Sequence, residues 1–138
     1  MQYDFNRSIE ILERTPAVLT HLLQGINETW VMNNEGPDTF SPFDVVGHLI
    51  HGERTDWMER TSRILQHGTA MPFDKYDRFA QYEESKGKSI NELLDTFASL
   101  RKQNLQALAA LNLDASDLDK KGMHPALGEV TLKNLLAT

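Results

Sequence analysis

The stretch Ser41-Pro-Phe-Asp-Val-Val-Gly-His-Leu-Ile-His-Gly-Glu53 decides how this chain is read, because it opens a helix and then sets two histidines and a glutamate on its first turns. Ser41 is a good N-cap, and Pro42 takes the first helical position, where its missing N–H costs nothing. Asp44 stands where a capping-box acid stands, near the positive end of the helix dipole. At about 100° per residue, Val46, Ile50, Trp57 and Ile64 fall on one stripe with Leu49 beside them. The spacing therefore predicts a helix from Pro42 to about His67, closed by Gly68 and Pro72. Glu53 projects between Leu49 and Trp57 toward the apolar side, where a carboxylate must be paired, protonated or wet. Arg60, two turns on, is its expected partner.

On the N-terminal side, Phe5, Ile9, Leu12, Leu19, Leu23 and Ile26 keep the spacing of one helix face. Pro16 interrupts that face, and because the apolar phase continues past it, a kink is expected rather than two helices. Residues 27–40 read as a loop anchored by Trp30 and Val31. On the C-terminal side, residues 68–88 combine Gly68, Pro72 and Gly87 with Phe73, Tyr76, Phe79 and Tyr82, the composition of a packed loop with room for a short helix. Ser89-Ile-Asn-Glu92 is a capping box for a third long helix that carries Leu93, Phe97, Leu100, Leu105 and Leu108. Residues 114–130 read as a turn-rich connection, and a fourth helix starts after Thr131 with Leu132, Leu135 and Leu136 on one side.

Three long amphipathic segments, the start of a fourth and no alternating segment long enough for a sheet predict an all-α four-helix bundle in a single domain, residues 1–138. Its core should gather Val46, Leu49, Trp57, Phe97, Leu100 and Leu108 together. The last helix reads as truncated at Thr138, as in a fragment or a short form. A length of 138 residues suffices to bury such a core without disulfides or a structural metal. Cysteine is absent, which removes thiolate zinc sites and a cysteine nucleophile. The net charge of −6, from 14 basic and 20 acidic residues with the basic ones scattered, argues against nucleic acid as a partner. No apolar run approaches the ~20 residues of a membrane span, and the N-terminus lacks the features of a signal peptide, so the expectation is a cytoplasmic protein with no membrane association.

The residues that could carry chemistry each have a plain structural reading. His48 lies beside the apolar stripe, with Gly52 one turn on leaving space over its ring. By itself the pattern makes His48 a hydrogen-bonded helix residue first and a metal ligand second. His51 reads as exposed, and although His48 and His51 have i, i+3 spacing, no third ligand stands near them. Glu53 and Asp56 read as partners of Arg60 and Arg54. His124-Pro125 reads as a turn, and His21 and His67 as surface residues. No phosphate loop, serine elbow or H-E-x-x-H helix is present.

The segments Ile11–Pro16, Ser41–Ile50 with Glu53, Leu93–Arg101 and His124–Leu132 leading into Leu135–Thr138 together resemble the DinB-like family of metal-binding four-helix bundles. That resemblance implies one histidine at the start of the second helix and a pair, four apart, on the last, binding a divalent metal such as zinc or nickel. His48 matches the first. The other two would be expected beyond Thr138, so one imidazole here should hold metal only weakly. Vacant positions on such a metal would lower the pKa of a bound water or thiol.

The resemblance implies a metal-dependent enzyme acting on a small molecule, either a thiol-dependent transferase or a hydrolase, with residues 68–88 covering the pocket. It also implies a homodimer, a state that exposed leucines would favour. The alternative is a noncatalytic bundle for dimerisation or small-molecule binding with a vestigial metal site. A third reading, with Glu53 as ligand in a carboxylate-rich bundle, lacks the further acids it needs on facing helices.

Overall fold

The computed structural model describes residues 2–138. Its long elements are α1 (Phe5–Leu23), α3 (Pro42–Thr55), α4 (Trp57–His67) and α6 (Ile90–Ala110). Between and after them come α2 (Glu28–Met32), α5 (Ala80–Ser85), α7 (Ala115–Leu118), β1 (Lys121–His124), β2 (Gly128–Thr131) and α8 (Leu132–Leu136). The expected start signals are in place. Ser41 and Asp44, Ser89 and Glu92, and Thr131 and Asn134 each form a reciprocal capping box at the head of α3, α6 and α8. The all-α bundle stands, with α1 and α3 both packed against α6.

Proline does not end α1. Pro16 lies inside a continuous helix, and since it has no N–H to offer, the Leu12 carbonyl one turn back loses its helical donor. Arg101 of α6 supplies the replacement, its guanidinium donating to Leu12 O at 3.0 Å. The same side chain donates from Nε to Glu53 Oε1 of α3 at 2.8 Å, and a second guanidinium nitrogen stands 2.7 Å from that oxygen. Asn104, one turn along α6, donates to both Glu53 Oε2 and Glu53 O at 2.8 Å. Glu53 thus meets the requirement its apolar position imposed, but through Arg101 and Asn104 on a facing helix. Arg60 pairs with Asp56 at 2.9 Å instead.

The helix expected over 42–67 is divided at Asp56, whose φ of −110° and ψ of −68° depart from helical values. The Thr55 hydroxyl donates to His51 O at 2.8 Å, the kind of local bond that bends helices. The division has a packing consequence. Instead of one core there are two. Val46, Ile50, Leu93, Leu94 and Phe97 form the first, flanked by Leu49 and Leu100. Ile64, Phe73, Leu132 and Leu135 form the second, and it is this one that Trp57 joins. Leu108 is buried beside a cavity of about 270 Å³ that Trp57 and Leu135 also line.

Two connections contain more structure than expected. Residues 27–40 include α2, capped by Asn27. Residues 114–130 include α7 and the antiparallel β1–β2 hairpin, with Gly122 opposite Val130 and Met123 opposite Glu129. These strands are too short to show alternation, and their pairing is secured by tertiary contact: Phe73 N donates to Met123 O at 2.9 Å. Gly122 is the point of closest approach, since a Cβ there would fall 2.6 Å from Ile64 Cγ1 and 2.8 Å from Phe73 Cζ.

Two stability predictions follow from this packing. Glu53→Ala leaves a buried guanidinium without its carboxylate and should lower unfolding free energy by about 3–5 kcal/mol in urea titrations, with Glu53→Leu/Arg101→Met recovering much of the loss. Gly122→Ala overpacks the second core and should cost about 1–3 kcal/mol by the same measurement.

Candidate functional site

His48 and His51 leave α3 on the side that α5 and the loop before it cover. The approach of α5 is close because position 47 is glycine; a Cβ there would stand 2.6 Å from Ser85 Oγ. Tyr76, from the loop, inserts its ring between the two imidazoles, edge to face with each, at centroid separations of 5.0 Å. Residues 68–88 therefore cover the histidine face.

His48 is half-buried, and its hydrogen bonds define its tautomer. The Tyr76 hydroxyl donates to His48 O at 3.0 Å and also lies 3.0 Å from His48 Nδ1. A phenol has one proton, and the carbonyl can only accept, so both contacts are satisfied when Nδ1 carries hydrogen and donates to the phenol oxygen. The lone pair is then on Nε2. Burial, with the nearby Asp56 and Glu84 carboxylates, pushes the Tyr76 phenol up to about 12, which keeps its proton in place. Burial also lowers the His48 pKa below its ordinary value; His51 and Arg78 act in the same direction, while Gln81 and Asp56 oppose them.

His51 is not the exposed residue expected. It is 6% exposed, and its Nδ1 lies 2.9 Å from Glu84 Oε1 of α5. Since a carboxylate only accepts, His51 Nδ1 bears a proton too. The space expected over Gly52 is filled by the Trp57 indole, whose Nε1 stands 3.2 Å from where a Cβ would be. Asp56 is drawn toward the same region, and burial raises its carboxyl pKa against the opposing effect of Arg60. His124 is the last residue of β1, paired with Gly128, rather than part of the turn expected at His124-Pro125; that turn begins at Pro125, and the His124 side chain closes it, with Nδ1 accepting from Ala126 N and Leu127 N at 3.1 Å. His21 and His67 are exposed.

His48 is surrounded by partners that no signal on its own helix announces. Phe40 lies 5.7 Å from the imidazole, centroid to centroid, and also meets Tyr82 edge on. Gln81, only 1% exposed, lies near enough to favour the charged imidazole, yet the contact falls short of hydrogen-bond geometry, and neither amide atom has a partner. The aromatic density of residues 68–88 was the available signal for Tyr76; nothing local marks Gln81.

For a metal, the fit is partial. His48 has the tautomer of a ligand, with Nδ1–H engaged by an outer partner and Nε2 free to coordinate. Among the described residues, however, no three His, Cys, Asp or Glu side chains come together as a metal-binding group. His48 is one donor and not a set. Among the same residues no helix is long and apolar enough to cross a membrane.

The bundle of long helices, with α1 and α3 packed on α6, defines the class of protein by its fold. The DinB superfamily matches residues 11–138, and the chain belongs to that superfamily. Among solved structures, YfiT from Bacillus subtilis, described as a probable metal-dependent hydrolase with an unusual four-helix bundle topology, aligns with a TM-score of 0.80 at 21% sequence identity. The alignment covers 96% of this chain and 75% of that one. At this identity the likeness concerns the fold. No curated protein matches significantly.

The lowered His48 pKa predicts a pH effect of definite sign. The folded protein binds fewer protons at His48 than the unfolded chain does, so stability is present above the unfolded histidine pKa, about 6.5, and is lost as pH falls through it toward the folded value. Thermal melts between pH 7.5 and 5 should therefore fall with acidification, and His48→Gln should flatten that fall. His51, Asp56, Arg78 and Gln81 face the ring and stay in place in that comparison.

Proposed function

We propose that this protein is a metal-dependent enzyme of the DinB superfamily, hydrolysing a small molecule at a centre to which His48 Nε2 contributes one ligand. One observation carries the reading: the Tyr76 hydroxyl bridges His48 O and Nδ1 at 3.0 Å each and so reserves Nε2. The superfamily assignment and the description of YfiT as a probable metal-dependent hydrolase support it. Hydrolysis is preferred to thiol transfer on the strength of that description.

The work of the chain's own residues is positioning. Tyr76 holds the imidazole plane and tautomer, and its raised pKa lets it donate across the physiological range. The depressed pKa of His48 keeps the ring neutral near pH 7, the state in which Nε2 can coordinate. Glu84, gripped by His51 at 2.9 Å and Arg54 at 3.5 Å, ties α5 to α3 and so holds the loop over the site.

Isothermal titration of the purified, metal-stripped protein with Zn²⁺ and with Ni²⁺ tests this. His48→Ala should lower affinity at least tenfold. Tyr76→Phe, which removes the tautomer lock while keeping the ring, should weaken binding by about 10–100-fold with little change in melting temperature. Unchanged affinity in a folded His48→Ala protein would refute the role of His48 and favour a noncatalytic module.

A further inference from the structure

One face of α1 meets no other part of the protein. Ile11, Thr15, Val18 and Leu22 follow one another at intervals of four, three and four, the spacing by which a helix forms a two-stranded seam. Ile11 is 68% exposed, Val18 53% and Leu22 61%. Thr15 brings no unmet polar group to this face, since its hydroxyl donates to Ile11 O at 2.9 Å. The first core takes Leu19 and Leu23, further round the helix, and leaves the stripe in water.

Each end of the stripe borders a hollow. Ile11 and Thr15 line the cavity of about 270 Å³ beside Leu108. Leu22 lines a second hollow of about 700 Å³ with Val45 of α3 and with Trp30, which is 75% exposed. Together with Trp30 and Val45, the stripe leaves on the order of 600 Å² of apolar surface in water, the upper end of what a soluble monomer carries in one patch and most of the ~800 Å² that each partner of a standard interface buries.

The spacing itself selects the occupant. Intervals of four, three and four read the same in either direction, so a two-fold axis midway between Thr15 and Val18 sets Ile11 of one chain against Leu22 of the other, and Thr15 against Val18. That is the self-complementarity an isologous contact requires. The same axis carries Trp30 of each copy to the 270 Å³ cavity of the other, because Trp30 shares a hollow with Leu22 and the cavity is lined by Ile11. Parallel pairing would set each hollow against its like and fill neither. We propose that the Ile11–Leu22 face of α1 is the contact between two copies of this chain, packed antiparallel and anchored by Trp30. The contact is independent of the chemistry at His48, which lies on the side of α3 that α5 covers.

Sedimentation equilibrium and cysteine cross-linking of the full chain test this. The protein should be a dimer at micromolar concentration. Val18→Glu should weaken the dimer at least a hundredfold and Trp30→Ala at least tenfold, and since both residues are exposed in the single chain, circular dichroism should show the helices unchanged. Val18→Leu should keep the dimer, and Leu127→Glu, at an exposed leucine away from the stripe, should not disturb it. The chain has no cysteine, so introduced ones report the geometry. Ile11 and its own copy would lie about 16 Å apart along the helices, at ~1.5 Å per residue, which no disulfide spans. Ile11→Cys and Leu22→Cys proteins should therefore cross-link when mixed and oxidised, and neither should do so alone. Arg7, Arg14 and His21 border the stripe and fall on the same side of both copies, so added salt should tighten the dimer. A monomer at millimolar concentration would give the face to another partner and overturn the proposal; so would a dimer that survives Val18→Glu, a dimer loosened by salt, or Ile11→Cys protein cross-linking to itself.

Discussion

The buried pairing of Glu53 with Arg101 is the constraint on which the arrangement of the long helices depends. A carboxylate on the inner face of α3 and a guanidinium on the inner face of α6 are each too costly to bury alone, so the two helices must meet at this register. Arg101 then reaches further, to the Leu12 carbonyl that Pro16 leaves without a donor. One side chain thus joins α1, α3 and α6, and the proline that weakens α1 as an isolated helix creates the acceptor that seats it. Asn104 completes the carboxylate's hydrogen bonding, and the Arg101 guanidinium lies 5.0 Å from the centre of the Phe97 ring in the first core.

Below that junction the chain changes direction at Asp56, which is why there are two cores. The first belongs to the long helices. The second is built from α4, the loop at Phe73, the hairpin and α8, elements individually too short to be stable in water. They hold one another. Gly122 lets Ile64 and Phe73 approach the hairpin backbone, and Phe73 N closes the contact on Met123 O.

The histidine face takes its character from a loop and not from its own helix. Tyr76 separates two imidazoles that α3 places one turn apart, fixes the tautomer of one, and is itself kept protonated by burial. Glu84 secures the other. This division leaves the lone pair of His48 on Nε2, and the functional reading follows from that tautomer.

The helix starts were legible because capping is a matter of residues three positions apart: Ser41 with Asp44, Ser89 with Glu92, and Thr131 followed by its leucines. The bundle class follows from the 3.6-residue repeat of the long segments, whereas His48 stands out as a candidate ligand only through the resemblance to the DinB-like family. What lay beyond reach was any pairing between distant positions. Arg60 was the nearer cation to Glu53, yet Arg101, 48 residues away, is the partner, because burial between facing helices favours a guanidinium that can also serve Leu12. His51 read as exposed because nothing on α3 reveals that α5 covers it. The hairpin is too short for a period of two to show. Sequence alone determined where helices begin and which faces are apolar, since these depend on neighbours along the chain; the tertiary structure decided which buried charges meet and what surrounds His48, since desolvation is set by whatever segment arrives from elsewhere.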